Sequence, residues 1–315
     1  MTWHLIAGLL LAATPAPDPV PLPAEPAPVP SAGELLALSA ERYRRLTVPV
    51  TIQGQGPFRF MIDTGAQATV LSRSLADQLA LTDRRPATLV GMASRVATET
   101  VAVADMQLGS RTFYVRTAPL VDGPNIGDAD GILGLDSLQD QRVLFDFQQR
   151  SLLVADAPEK GGTRGFDIVV KAREKLGQLI ITEAHLDGIA VAVIVDTGAQ
   201  GSIGNPELLS RLRRARSLGE TSLTDVNGIE LAGEVRLGRE LKLGSARLRN
   251  FPLMFADSPT FQVLGLSNKP ALVLGMAELQ LFGRVAIDFR SRRVLFDMPS
   301  NTPRDLAGDL DRLRS

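Results

Sequence analysis

The chain has no cysteine. That removes disulfides, thiol catalysis, thiolate metal sites and a lipoprotein anchor together. Histidine is nearly absent too, with only His4 and His185. His4 falls in a segment expected to be removed. A Ser-His-Asp triad would therefore rest on His185 alone, and a histidine-rich zinc site is excluded. His185 precedes Leu186-Asp187-Gly188 and reads as a surface strand residue. Neither sign of charge predominates: 34 basic residues stand against 35 acidic ones, a net charge of −1. Nothing electrostatic points to nucleic acid as a partner. Gly54-Gln55-Gly56 is too short for a phosphate loop, and no Walker-type lysine follows it.

What remains is a globular composition, 44% hydrophobic and 22% charged over 315 residues. That length accommodates two domains of about 130 to 150 residues each. Leu5 to Ala13 is apolar but too short to span a bilayer, and small residues follow it. Residues 1–16 read as a signal peptide, although Met1-Thr2-Trp3-His4 carries no Lys or Arg. Export to a periplasm or the exterior is the expectation, with N-terminal tethering if the segment is an uncleaved anchor. Residues 17–46 read as a proline-rich tether with a short helix around residues 34–44, where Leu35, Leu36 and Leu38 are apolar.

The rest of the chain is written twice. Phe60-Met61-Ile62 runs into Asp63-Thr64-Gly65-Ala66-Gln67, and Val193-Ile194-Val195 runs into Asp196-Thr197-Gly198-Ala199-Gln200. The two aspartates are 133 residues apart. Leu108-Gly109-Ser110 matches Leu243-Gly244-Ser245, Gly131 to Leu135 matches Leu272 to Met276, and the strand ending at Asp146-Phe147 matches the one ending at Asp288-Phe289. These landmarks keep their order and nearly their spacing, which marks a duplication. Residues 47–157 and 166–298 are the two expected lobes, joined by a glycine-rich linker, and residues 299–315 form a polar tail. Strands and tight turns dominate both. Ser72 is placed to cap a helix reaching about Leu79, and Asn205-Pro206 starts another. Residues 89–96 and 224–228 read as hairpin tips.

A charge at the end of a buried strand is costly unless paired or hydrogen-bonded. Two related halves commonly pack about an approximate twofold axis. Elements that occur once per half and face that axis meet there, which would bring Asp63 and Asp196 together. Two such carboxylates share one proton and titrate in separated steps. One can act as general base on water and the other as general acid, as amide hydrolysis requires. Gly65 and Gly198 would let backbone N–H groups approach the carboxylates. The hydroxyls of Thr64 and Thr197 would bond backbone across the axis. Asp146 and Asp288 lack the Thr-Gly and read as structural, facing turns or an arginine. The Arg211 to Arg216 cluster reads as a solvated helix end.

On these motifs the sequence resembles the aspartic proteases, most closely their retropepsin-like branch, over roughly residues 47–298. The resemblance rests on Asp-Thr-Gly-Ala after an apolar strand, the hairpin tips, the runs Ile132-Leu133-Gly134 and Val273-Leu274-Gly275, and the closing Asp-containing strands. It implies an all-β, bilobal pepsin-like fold of two retropepsin-type β-barrel-like lobes, with a pseudo-twofold cleft under hairpin flaps. It implies a chain active as a monomer, because two units are fused, with an extended polypeptide as substrate and neither metal nor cofactor. Asp63 and Asp196 would be catalytic, with Thr64, Gly65, Thr197 and Gly198 supporting them. Gly91, Met92, Val226 and Gly228 would lie in the substrate flaps. Pepsin-like enzymes usually carry a flap tyrosine and disulfides. The only tyrosines here are Tyr43 and Tyr114, neither of them at a hairpin tip. Alanine follows each Asp-Thr-Gly where a hydroxyl could stabilise the ionised carboxylate, so the pair is expected to titrate higher and to work at weakly acidic or near-neutral pH. A catalytically silent peptide-binding protein and a zymogen awaiting N-terminal processing are the alternatives.

Overall fold

A computed structural model describes residues 33–37, 39–40, 46–127, 129–139, 141–156, 163, 165–212 and 215–299. The expected signal peptide, the proline-rich run up to Pro30, most of the linker and the tail beyond Pro299 lie outside the described residues. In the first half the strands are β1 Gly33–Ala37, β2 Ser39–Ala40, β3 Leu46–Ile52, β4 Gln55–Ile62, β5 Val70–Ser72, β6 Arg85–Val90, β7 Arg95–Leu108, β8 Arg111–Val121, β9 Gly131–Leu133, β10 Gln141–Asp146 and β11 Ser151–Asp156. The second half continues with β12 Ile168–Lys175, β13 Gln178–Leu186, β14 Ile189–Val195, β15 Ile203–Gly204, β16 Ser217–Thr224, β17 Glu230–Leu243, β18 Ala246–Phe255, β19 Ala271–Leu274, β20 Arg284–Asp288 and β21 Arg293–Asp297. The α-helices are short: α1 Arg73–Gln78, α2 Pro206–Arg211, α3 Pro259–Val263 and α4 Met276–Leu279. Ser72 and Asn205 cap α1 and α2 as expected, each accepting from the backbone N–H three residues on.

Each half closes into a six-stranded ring. The first runs β3-β4-β9-β5-β8-β7 and returns to β3, and the second runs β13-β14-β19-β15-β18-β17 and returns to β13. Closure leaves the ring strands no free edge, which an isolated antiparallel sheet would expose. Alternation supplies the filling: Val48, Val50 and Ile52 of β3 point into the core, as do Phe58, Phe60 and Ile62 of β4. The hairpins β6–β7 and β16–β17 extend past the rings as flaps. Both rings contain a parallel pair, β4 with β9 and β14 with β19. Each places the apolar-apolar-Gly run beside the strand that ends in aspartate.

A further sheet joins the lobes. Its order is β1-β11-β10-β20-β21-β12, with β10 and β20 antiparallel across the join. Arg142 lies opposite Asp288 in that pairing, and the two side chains form an ion pair of 2.5 Å, 1% and 0% exposed. Asp288 also accepts from Ser291 N–H, and Asp146 from Gln149 N–H, so both serve the closing turns. The helix expected around residues 34–44 is not formed in its described part. Gly33–Ala37 is instead an edge strand on β11, with Leu35 opposite Leu153. The equivalent position in the second half is held by β12, with Val169 opposite Leu295. The helix-favouring Glu-Leu-Leu-Ala composition yields to a sheet edge that needs a partner.

Candidate active site

The turn after β4 and the turn after β14 meet between the lobes. Asp63 and Asp196 donate their backbone N–H groups to Leu133 and Leu274 of the parallel neighbours, at 3.0 and 3.1 Å. Those bonds fix where each strand ends and the turn begins. Asp63 Oδ1 then accepts from Gly65 and Ala66 N–H at 2.7 and 3.0 Å. Asp196 Oδ1 accepts from Gly198 and Ala199 N–H at 2.9 and 3.0 Å. The carboxylates are 1% and 2% exposed, and these donors offset part of their desolvation.

The threonines bind the turns to each other. Thr64 Oγ1 donates to the Val195 carbonyl at 3.0 Å and accepts from Thr197 N–H at 3.1 Å. Thr197 Oγ1 donates to the Ile62 carbonyl at 2.8 Å and accepts from Thr64 N–H at 3.1 Å. The glycines face the opposite aspartates. A Cβ on Gly65 would sit 2.4 Å from Asp196 Oδ2, and one on Gly198 would sit 2.2 Å from Asp63 Oδ2. No side chain fits there, so each glycine is required by close approach across the axis.

Burial first, then the charge of Asp196 and a hydrogen bond to it, push the Asp63 carboxyl well above the ordinary range. Burial likewise raises Asp196 to about 6, against hydrogen bonds from Asp63, Ala199 and Gly198 that lower it. Among the described residues no donor reaches Asp63 Oδ2. A proton on that oxygen would be shared with Asp196, and two buried carboxyls that face each other favour a single proton between them.

Beneath each turn lies a hydroxyl. Thr69 Oγ1 accepts from Gly134 N–H and donates to exposed Asp136 at 2.7 Å, so Asp136 braces the turn. Ser202 Oγ accepts from Gly275 N–H and donates to Glu278. Glu278 is buried, and burial raises it to about 7. Sequence reasoning passed over Glu278. Its signal is that the position follows Gly275-Met276 in the repeated run, as Ser137 follows Gly134-Leu135 in the first half.

The flaps cover the site and cross over it. Met92, 1% exposed, packs with Ile194, Ile203, Leu223 and Phe261 of the second lobe. Val226, 0% exposed, packs with Met61, Val70, Val121 and Ile132 of the first. Asp225 joins the tips: its Oδ2 accepts from Ala93 N–H at 3.0 Å and from the Ser94 hydroxyl at 2.7 Å. Asn227 donates to Ser94 Oγ at 2.9 Å. A Cβ on Gly91 would run into Asp225, and one on Gly228, in a left-handed turn, would run into Asn125. A cavity of about 220 Å³ lies beside Asp196, under Met92. Gly65, Met92, Ile194, Val263 and Gln178 are among its walls, and Asp196 is the one ionisable residue there. Of the expected flap residues Met92 lines this cavity, whereas Gly91, Val226 and Gly228 do not. Gln178 and Asp225 were not singled out by sequence.

No three His, Cys, Asp or Glu side chains are grouped to hold a metal ion among the described residues. No curated protein sequence matches the chain. The family model described as "Aspartyl protease" matches residues 48–137 and again residues 182–277. Each match contains one Asp-Thr-Gly turn, its flap and its apolar-apolar-Gly strand. Together they cover more than half of the chain, and with the paired turns at their centre they place it in the aspartyl protease family.

Proposed function

We propose that the chain is an aspartic endopeptidase that cleaves extended polypeptides with Asp63 and Asp196 as its catalytic pair, working as a single chain. The observation that carries this reading is the shared-proton geometry: two buried carboxyls, each held by two backbone N–H groups, locked face to face by Thr64 and Thr197. The ionised member of the pair takes a proton from water as that oxygen attacks the scissile carbonyl carbon. The protonated member gives its proton to the carbonyl oxygen, forming a tetrahedral gem-diol. The first carboxyl then passes its proton to the amide nitrogen, the C–N bond breaks, and the second takes a proton back from a gem-diol hydroxyl, so the pair ends with one proton. The threonine lock holds both carboxyls in place, so little reorganisation accompanies the step.

The test is cleavage of a mixed peptide library by the purified protein and by Asp63→Asn and Asp196→Asn, read by mass spectrometry across pH. The wild type is expected to cleave, and each variant to lose at least roughly 10²- to 10⁴-fold in rate, the span of general acid-base catalysis. Peptide binding without cleavage by a folded sample would instead indicate a silent binding protein. Equal cleavage by wild type and variants would mean that the chemistry lies elsewhere.

A further inference from the structure

Gln178 stands at the start of β13, 3% exposed, on the wall of the cavity beside Asp196. Its Nε2 donates across the lobes to the carbonyl of Gly65, in the opposite catalytic turn. That bond sets the amide's orientation, because the reverse would place two oxygens against each other. Oε1 is thereby left buried with no donor among the described residues. An unmet buried acceptor is costly, and native proteins tolerate few of them. The residue also breaks the repeat: 133 residues earlier, in the register that superposes β3 on β13, the sequence has Arg45. Gln178 therefore differs in residue type from its counterpart in the repeat.

We propose that Gln178 is a substrate-positioning residue whose Oε1 accepts one backbone N–H of the bound polypeptide, fixing its register over the carboxyl pair. This rests on the protease reading of the same site. Its Nε2 bond to Gly65 makes the acceptor rigid with respect to the catalytic turn. A substrate N–H arriving there satisfies this acceptor. Because the partner is backbone, the contact selects where the chain sits rather than which side chain it carries.

The test couples substrate and enzyme changes. A peptide cleaved by the wild type is remade as a series, each member with one backbone N–H outside the scissile bond replaced by an ester oxygen. kcat/KM is measured for the wild type and for Gln178→Met, which keeps length but has neither donor nor acceptor. One ester is expected to cost the wild type about 5- to 100-fold, and that cost is expected to vanish in Gln178→Met. Thermal unfolding checks the variant's fold, and Gln178→Ala replaces it if the methionine does not pack. Identical ester penalties in wild type and variant overturn the proposal. If the wild type binds the parent peptide without cleaving it, the protease reading fails. The same coupling is then read in Kd by calorimetry, and its absence there overturns the positioning role.

Discussion

At the scale of residues, the carboxyl pair sets the pH behaviour. On the proposed mechanism the active form carries one proton. With Asp196 raised to about 6 and Asp63 higher, kcat/KM is expected to rise as pH increases through about 6 and to fall again at higher pH. A pH–rate profile checks this; a maximum below about pH 4, where an unperturbed carboxyl titrates, would contradict it. Stability follows the same shifts with a definite sign. Asp63, Asp196 and Glu278 all have raised values in the folded state, so the folded protein holds protons that the unfolded chain releases. Stability is then fullest below about pH 4 and declines as pH rises through 6 and 7. Thermal midpoints across that range should show the decline, and Glu278→Gln should flatten its upper part without abolishing cleavage. The glycines admit a steric prediction. Gly65→Ala and Gly198→Ala would each force a methyl onto the opposite carboxylate, so loss of cleavage and a destabilisation of about 1–3 kcal/mol are expected, read by activity and by denaturant unfolding.

At the scale of elements, the flaps are latched to each other. Burying a methionine such as Met92 contributes about 1.5–3 kcal/mol. Each latch hydrogen bond to the Asp225 carboxylate contributes about 1.5–3 kcal/mol. The apolar tips and the polar bonds therefore hold the flaps down with comparable strength, and the polar bonds also set their alignment. Asp225→Ala should loosen the latch without unfolding either lobe. Amide hydrogen exchange should accelerate at Ala93, whose N–H the carboxylate accepts. Unchanged protection at that amide would show that the apolar tips alone decide flap position. The flap hairpins themselves were legible, because their strands alternate and their tips carry Gly91 and Gly228. That each tip buries itself in the other lobe was not, because a buried methionine and an exposed one look alike in sequence.

At the scale of the whole molecule, the lobes are joined by strand pairing, by the threonine lock and by the Arg142–Asp288 pair. Removing one member of a buried pair leaves an uncompensated charge. Arg142→Met is expected to cost about 3–5 kcal/mol, and adding Asp288→Asn should recover much of it. Denaturant unfolding of the two variants checks this; an equal cost in both would mean that the arginine acts through packing alone.

The sequence by itself determined the duplication, the carboxylate at the end of each apolar strand, the caps at Ser72 and Asn205, and the hairpin plan. These rest on local periodicity, turn chemistry and the comparison of one half with the other. Only the tertiary structure decided that residues 33–37 form a strand, since an edge strand is defined by the β11 it meets rather than by its own pattern. It alone decided the partners of Gln178 and Asp225, which lie 113 and 132 residues away in the chain at Gly65 and Ala93. A buried polar side chain is specified by the donor or acceptor waiting for it. When that partner belongs to the other lobe, no local pattern carries the information, and only the packing of the two halves supplies it.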